Sequence, residues 1–577
     1  MKHLAFRWLT VRAGLQRFFR IAEWQWMLGW AVVAGVLGAL ATESFRWSLQ
    51  RLDHLLLGQG GSLVALARSL PAWERVLVPT LGGVLAGVLL MLARRAANPQ
   101  AHSDYMEATV LGDGRIPLKS SLLRSASSLL SIASGGSIGR EGSMVQLAAL
   151  SASLLGQGLR FPVARLRLLV ACGAAAGITA AYSAPIAGTF FVAEIVLGSM
   201  AMESLGPIMV AAVVANIVMR QMPGYQPPYA MPPFPAVAGI EVLLFALMGL
   251  VLGAGAALFL RLLGQARSLF GRLPVALPWR LALGGLLVGL ISVPLPEVWG
   301  NGYSVVNSVL HADWPWALLM LLLVAKVVAT LCTVGSGAVG GVFTPAIFFG
   351  CLVGALFGQG AQALWPQATS APLAYAMVGM GAFLAGATQA PLMAILMIFE
   401  MTLSYQVMLP LMVASVIAYF VARSVHAGAM YDITSRRQSW QAEQQRLRAL
   451  GVRELIEPAL TVVGLQAGLD EMSRLFLHHP VKYLYVVNDA QHFQGVVPLK
   501  RLSPAERLPD LERLRAADLL SAELLPLTAD MGLTAALQRF MEHRGERLPV
   551  IASQDDPRLL GVVNKSALLA TYARLSG

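Results

Sequence analysis

Residues 135–158 and 335–360 are two similar glycine-rich segments, and each leads into an apolar run. At an offset of 202 positions Gly139 matches Gly341, and the Gly-Gln-Gly that closes each segment matches as well. An Ala-Pro pair occurs later in both copies at an offset of 206. Two matches in the same order at nearly one offset indicate an internal duplication. In a membrane protein, duplicated apolar segments interrupted by glycine indicate a transport site where the two repeats meet.

The composition indicates that most of the chain lies in a membrane. Of the 577 residues, 56% are apolar and 13% are charged, whereas soluble domains carry about a quarter of charged residues. Many apolar segments are shorter than the ~20 residues of a simple span, and several are separated only by Gly, Pro or Ser. This pattern predicts an all-α polytopic protein with broken and re-entrant helices. The three cysteines lie in apolar runs, which favours core residues over disulfides, and no His/Cys cluster has metal-site spacing.

The first glycine-rich segment places a charged pair, Arg140-Glu141, between glycines. Charges are costly in the hydrocarbon core, so a carboxylate within a membrane segment is a candidate functional group. A helix that begins here directs unpaired N–H groups and a partial positive charge at its own N-terminus, which favours anions. The alternative, from these residues alone, is a surface loop with a solvated Arg-Glu pair.

Three motifs carry a family resemblance. They are GREGS at residues 139–143, GAAAGITAAYSAPIAG at 173–188 and GGVFTP at 340–345. The sequence resembles the CLC family of chloride channels and chloride/proton exchangers, and its bacterial members in particular, over roughly residues 25–435. The resemblance implies both an architecture and roles for individual residues.

The architecture implied by the resemblance is a membrane domain at residues 25–430. That domain would consist of two inverted repeats, about 75–220 and 237–425, whose helix N-termini meet near the middle of the membrane. The resemblance also implies a homodimer with one pore in each subunit.

The resemblance gives Glu141 the role of the gating glutamate. Its carboxylate would occupy an anion site when ionised and leave it when protonated, because carboxylate and chloride compete for the same N–H groups. The family also places a tyrosine hydroxyl at the central anion, and Tyr431 lies just after the last apolar segment. The alternative for Tyr431 is a place in the interfacial aromatic belt. The other predicted anion ligands surround the glycine-rich segments: Gly139, Arg140, Gly142, Gly341, Val342, Phe343 and Thr344.

The sequence departs from the family pattern at two positions. The family's central serine has no matching motif, because GDGRIP at residues 112–117 lies too close to the gating glutamate. Ser103 is a candidate at the expected spacing, and a backbone N–H in its place is the alternative. On the proton route of the exchangers, Ile195 stands where a glutamate is expected. The neighbouring Glu194 matches Glu400 of the second repeat, which predicts a shared structural acid.

The net charge of +12 comes from the membrane part of the chain. From Gly451 onward the chain has 14 Lys/Arg and 15 Asp/Glu, so the excess of positive charge lies before that residue. Basic loops on the cytoplasmic side and an attraction for anionic lipids or substrate anions explain this charge. No nucleic-acid partner is predicted. Lys326 lies inside an apolar run, where it either attracts anions near a vestibule or snorkels or pairs with an acid.

Two further regions flank the membrane domain. Residues 1–24 are basic and predict a retained amphipathic helix on the cytoplasmic face. Residues 431–451 predict a cytoplasmic linker helix. The last region is a soluble α/β module, with an internal repeat at 452–510 and 516–577 that resembles a pair of CBS domains.

The CBS pair is not predicted to bind a nucleotide, and no cofactor is predicted for the chain. Adenosine ligands of CBS domains usually need an acid shortly after the Gly-Val-Val strand. Arg501 and Ala567 stand at those two places. A structural role or a dimer contact is expected instead.

The sequence therefore predicts voltage- or pH-gated passage of chloride or similar monovalent anions across a bacterial inner membrane, with both termini cytoplasmic. It contains no nucleophile–base set, metal cluster or phosphate loop, so an enzyme is not expected. Ile195 favours a channel over a chloride/proton antiporter, which stays an alternative. A membrane-anchored sensor whose CBS pair is the working part is an alternative of another class.

Overall fold

The membrane part of the chain consists of helices of very unequal length, as the interrupted apolar segments predict. The computed structural model describes residues 23–57, 62–96, 104–235, 237, 239–426, 428–431, 433, 451–502, 514–521, 524–543 and 545–576. Contacts divide the chain into two units, residues 1–437 and 438–577. The predictions for the N-terminal amphipathic helix up to residue 22, for Ser103 and for the linker helix at 434–450 lie outside the described residues.

The described part of the first unit is helical. Eight helices there are long and apolar enough to cross a membrane, and four further apolar helices are shorter. This mixture confirms the predicted polytopic fold with broken helices. The helices span Glu23–Leu57, Leu63–Ser69, Ala72–Ala96, Tyr105–Val110, Leu118–Ala133, Glu141–Gly158, Val163–Tyr182, Pro185–Phe190 with its π-helical continuation Phe191–Leu197, Met202–Arg220, Val242–Gly271, Leu277–Ser292, Tyr303–His311, Trp316–Gly335, Phe343–Leu364, Pro372–Thr388, Pro391–Thr402 and Met408–Val425.

Helix Glu23–Leu57 lies before the predicted start of the first repeat at about residue 75, and it packs like a helix of the second half. Helix Glu23–Leu57 packs on Met202–Arg220 as Val242–Gly271 packs on Met408–Val425. Both pairs bring a glycine of the first helix against a backbone carbonyl of the second, where a side chain would not fit. Helix Glu23–Leu57 and helix Val242–Gly271 therefore have similar packing partners in the two halves.

The second unit contains two small sheets of the same design. In each sheet the first strand pairs parallel with the second, and the second pairs antiparallel with the third. An amphipathic helix between the first two strands buries an apolar face, including Met472 in one half and Phe540 in the other. This confirms the predicted α/β repeat. The strands span Val462–Gly464, Tyr483–Val487, Phe493–Pro498, Leu527–Thr528, Arg547–Ile551 and Leu559–Asn564, and the helices span Leu469–His478, Leu533–Glu542 and Lys565–Ser576.

Candidate functional site at the junction of the repeats

The two glycine-rich segments lie side by side where the two halves meet. Gly139 donates its N–H to the Gly341 carbonyl at 2.7 Å, and Gly341 donates back at 2.9 Å, which forms an antiparallel bridge. A helix begins two residues later in each repeat, at Glu141 and at Phe343. Two helix N-termini, with unpaired N–H groups and partial positive charge, therefore open at one junction.

The bridge corrects part of the predicted ligand set. The N–H groups of Gly139 and Gly341 are donated to each other's carbonyls, so these residues do not offer their N–H groups to an anion. By contrast, N–H groups in the first turn of a helix have no carbonyl partner inside that helix. The predicted backbone donors that remain at the junction are Gly142, Val342, Phe343 and Thr344.

Glu141 is the first residue of its helix and is only 2% exposed. Its Oε1 accepts hydrogen bonds from Tyr303 Oη at 2.9 Å and from Thr344 Oγ1. Its Oε2 has no hydrogen-bond partner among the described residues. A Cβ at Gly139 would overlap with Oε2, and a Cβ at Gly341 would lie 3.2 Å from it. Glycine at both positions therefore gives the carboxylate room to lie over the bridge.

Hydroxyl and aromatic side chains surround this carboxylate. Tyr182 Oη lies 2.9 Å from Thr344 Oγ1, and the rings of Tyr182 and Phe343 pack with their centroids 5.2 Å apart. The guanidinium of Arg140 lies 5.0 Å from the centroid of the Tyr303 ring. Arg140 is thus engaged by a cation–π contact, and its contribution to anion binding stays a prediction. The Phe343 side chain serves in packing, which leaves its backbone as the candidate ligand.

A cavity of about 640 Å³ adjoins the junction. Its lining includes Glu141, the start of the second helix at Val342 and Phe343, and Tyr431. The structure therefore brings the predicted tyrosine to the same cavity as both helix N-termini. The cavity is also lined by three arginines and two carboxylates: Arg94, Arg124, Arg267, Asp104 and Glu107.

The cavity contains serine hydroxyls that the sequence did not single out. Ser120, Ser125 and Ser143 line it, and their buried hydroxyls have no hydrogen-bond partner among the described residues. For Ser120 and Ser125 the available signal was the run of serines in helix Leu118–Ala133. Asp104, directly after the candidate Ser103, lines the cavity and caps helix Tyr105–Val110.

Glu194 and Glu400 exchange helix caps between the repeats. Glu194 Oε2 accepts the N–H of Met393 at 2.9 Å, in the first turn of a second-repeat helix. Glu400 accepts the N–H groups of Ile186 and Ala187 at 3.0 and 2.7 Å, in the first turn of the corresponding first-repeat helix. Each acid thus satisfies donors that a helix start leaves unpaired. This arrangement agrees with a shared structural role.

Ile195, at the predicted proton-route position, is 1% exposed. It lies in the π-helical turn Phe191–Leu197, next to Glu194, whose carboxylate is engaged in the cap described above. The side chain of Ile195 offers neither a titratable proton nor a hydrogen bond. The absence of an acid relay at this position stays a prediction about transport.

Lys326 has none of its predicted partners among the described residues. It is fully buried in helix Trp316–Gly335, and its Nζ donates to the carbonyl oxygens of Val298 and Gly300. It is thus paired with the backbone of a loop instead of with an acid, and it does not snorkel. Neither interpretation of Lys326 from the sequence included this contact with backbone carbonyl groups.

In the second unit, Arg501 occupies a place where nucleotide-binding CBS domains carry an acid. Its guanidinium Nη1 donates to the carbonyl oxygens of Leu519 and Leu520, at 3.2 and 2.7 Å. The side chain is therefore held by the chain itself. The expectation that no nucleotide binds stays a prediction.

Comparison with known proteins gives a consistent result. Residues 82–423 match the family model described as voltage gated chloride channel, and residues 516–574 match the CBS domain. A ClcB-like chloride channel protein from Ralstonia nicotianae is 55% identical over 409 residues, which are 70% of this chain and 95% of that protein. The voltage-gated ClC-type chloride channel ClcB of Escherichia coli O17:K52:H18 is 42% identical over 406 residues, 70% of this chain and 96% of its own. The solved structure of a slow cyanobacterial Cl⁻/H⁺ antiporter superposes with a TM-score of 0.64 at 25% identity, over 74% of this chain and 100% of the other.

Proposed function

The chain belongs to the voltage-gated chloride channel family, and on this basis we propose that it carries chloride and similar monovalent anions across a bacterial inner membrane. Two relatives that it matches over nearly their whole length are named as chloride channels. The proposal includes a homodimer with one pore in each subunit, both termini in the cytoplasm and no enzymatic activity. The basic N-terminal segment and the soluble CBS unit support this orientation.

One observation carries the proposal: a buried carboxylate stands where two helix N-termini open beside a cavity. Unpaired N–H groups and the helix dipoles favour a negative charge at this point. Ionised Glu141 supplies that charge itself and so competes with an anion for the same environment. Protonation removes the charge, and a chloride ion can then take its place. Glu141 is therefore the proposed gate.

The remaining ligands are proposed from the same geometry. The N–H groups of Gly142, Val342, Phe343 and Thr344 and the hydroxyl of Tyr431 are the proposed anion donors. Chloride is large and monovalent, so several neutral donors suit it without a fixed cation. The arginines of the cavity raise the local concentration of anions before they reach the junction.

A chloride/proton antiporter is the second candidate, because the cyanobacterial structural relative is described as one. Two features of this chain favour uncoupled transport instead. Ile195 cannot relay a proton, and the carboxylate of Glu194 is engaged by a backbone N–H of the opposite repeat. We therefore propose chloride passage with little or no stoichiometric proton movement.

The test is a reversal-potential measurement on the full chain in proteoliposomes, under a chloride gradient with and without a pH gradient. The proposal predicts a chloride current whose reversal potential tracks the chloride gradient and does not move with pH. A shift of the reversal potential with the pH gradient would establish the antiporter. The absence of any chloride current above protein-free liposomes would overturn both.

A further inference from the structure

The loop at residues 298–302 connects a buried lysine to the carboxylate of Glu141. Lys326 Nζ donates to the Val298 carbonyl at 2.8 Å and to the Gly300 carbonyl at 2.7 Å. The loop ends at Tyr303, whose hydroxyl donates to Glu141 Oε1 at 2.9 Å. Two residues of the loop, Gly300 and Gly302, have positive φ, so its path is tightly shaped.

Lys326 is an unusual residue for its position. It is 0% exposed, and no acid among the described residues forms an ion pair with it. Its Nζ also lies over the face of the Phe348 ring, 5.4 Å from the centroid. An ammonium group in such a place is costly unless its donors are used. Here two of its three donors are used to hold one loop.

Tyr303 is held from several directions at once. Its N–H donates to Asn301 Oδ1 at 3.3 Å, and the Arg140 guanidinium lies over its ring. The loop before it also donates from Gly300 to the Gly135 carbonyl in the first repeat, at 3.3 Å. These contacts hold the hydroxyl of Tyr303 towards Glu141. A fixed donor to a carboxylate stabilises its ionised form more than its protonated form.

We propose that Tyr303 is a latch on Glu141 and that Lys326 is a positioning residue that holds the latch through the loop. The hydroxyl retains the ionised carboxylate at the junction and so sets the pH at which the anion path opens. This inference rests on the proposed gating role of Glu141 and adds to it the groups that tune the gate.

The first test is Tyr303→Phe, which removes the hydroxyl and keeps the ring under Arg140. Loss of the donor weakens the hold of the junction on the ionised carboxylate, so the anion path opens at higher pH. The midpoint of the pH dependence of chloride efflux should therefore rise by about one pH unit. An unchanged midpoint would overturn the latch.

Tyr229 offers a matched control for this change. Its ring packs edge-on against Tyr303 at 4.8 Å, and its buried hydroxyl has no hydrogen-bond partner among the described residues. Tyr229→Phe should leave the midpoint where it is in the wild type. An equal shift in both variants would mean that repacking, and not the hydrogen bond, moves the midpoint, and would contradict the proposal.

Lys326→Met tests the positioning role, with Lys326→Gln as the variant that keeps a donor to the loop. Lys326→Met should raise the midpoint by less than Tyr303→Phe does, and Lys326→Gln should restore part of the shift. The double variant with Tyr303→Phe should show the midpoint of Tyr303→Phe alone, because both act through one hydroxyl. Additive shifts would refute a common route.

The background variant Glu141→Gln separates the latch from the proposed function. If efflux from Glu141→Gln keeps the wild-type pH dependence, the gate itself is wrong. If Glu141→Gln abolishes the pH dependence while Tyr303→Phe leaves the midpoint unchanged, the gate stands and the latch fails. In the latch account, Tyr303→Phe has no effect on the pH profile once Glu141→Gln is present.

Discussion

The two repeats present the same backbone at their junction and opposite side chains. Each has a glycine in the shared bridge and a helix that begins two residues later, at Glu141 in one repeat and Phe343 in the other. The first repeat supplies the buried carboxylate, whereas the second supplies the hydroxyls of Tyr303 and Thr344 that bind it. The matching glycines form the bridge, and Glu141 carries a negative charge where the second repeat has Phe343.

The helix caps that Glu194 and Glu400 exchange are alike in the two repeats, unlike the side chains at the junction. Glu194 and Glu400 are identical residues at matching positions, and each accepts N–H groups at a helix start in the opposite repeat. Their symmetry indicates that they hold the halves together. They differ in this from Glu141, whose counterpart in the second repeat is an aromatic residue.

The largest expected effect is a loss of stability when the symmetric acids are removed. Glu194→Ala and Glu400→Ala each remove the acceptor of N–H groups at a helix start, which costs about 1–3 kcal/mol. Thermal unfolding of the protein in detergent should show a clear fall in Tm for both. Glu203→Ala, at an exposed position, is the control and should change Tm little. A fall in Tm for only one of the two variants would contradict the claim that both acids have the same structural role.

The next effect separates the two bridge glycines. A Cβ at Gly139 would overlap with Glu141 Oε2, while a Cβ at Gly341 would meet it at 3.2 Å. Gly139→Ala should therefore displace the carboxylate and strongly weaken the pH dependence of chloride efflux, whereas Gly341→Ala should weaken it less. Efflux assays across a pH series on both variants compare them directly. Equal effects, or a larger effect of Gly341→Ala, would contradict the placement of the carboxylate.

The smallest effect concerns Ser143, which matches Pro345 of the second repeat. Its buried hydroxyl lines the cavity and has no partner among the described residues, so it can donate to an anion. Ser143→Ala should weaken apparent chloride affinity about 5-fold, as expected for one hydrogen bond. Ser151→Ala, which alters a hydroxyl bonded to the Ala148 carbonyl in the same helix, is the control. Equal chloride affinity in wild type and Ser143→Ala would exclude this contact.

Much of the membrane fold could be predicted from the sequence, because duplication, hydropathy and glycine placement are local or periodic signals. The offset of 202 positions placed Gly139 opposite Gly341, and the structure pairs these two residues directly. The same pairing uses the N–H groups that the sequence had offered to an anion. Sequence spacing shows that two loops correspond but not that they bond to each other.

The contacts of the carboxylate were not readable in this way. Tyr303 lies 162 positions from Glu141, and its hydroxyl reaches the carboxylate only through the path of the preceding loop. The glycines at 300 and 302 permit the positive φ that this loop adopts, yet nothing in the sequence gives its direction. Lys326 was noticed as a charge in an apolar run, but its partners are backbone carbonyls, which every residue has. Such contacts have no residue-type signature.

The central claim is that the carboxylate of Glu141 competes with the anion at the junction and so gates its path. The direct measurement is chloride efflux from proteoliposomes across a pH series, for the wild type and for Glu141→Gln, with exposed Glu203→Gln as the control. Wild type and Glu203→Gln should show efflux that rises as the pH falls, because protonation of Glu141 removes the competing charge. Glu141→Gln should show high efflux at every pH, since its neutral side chain resembles the protonated acid. Efflux from Glu141→Gln that still rises with acid as in the wild type would contradict the account.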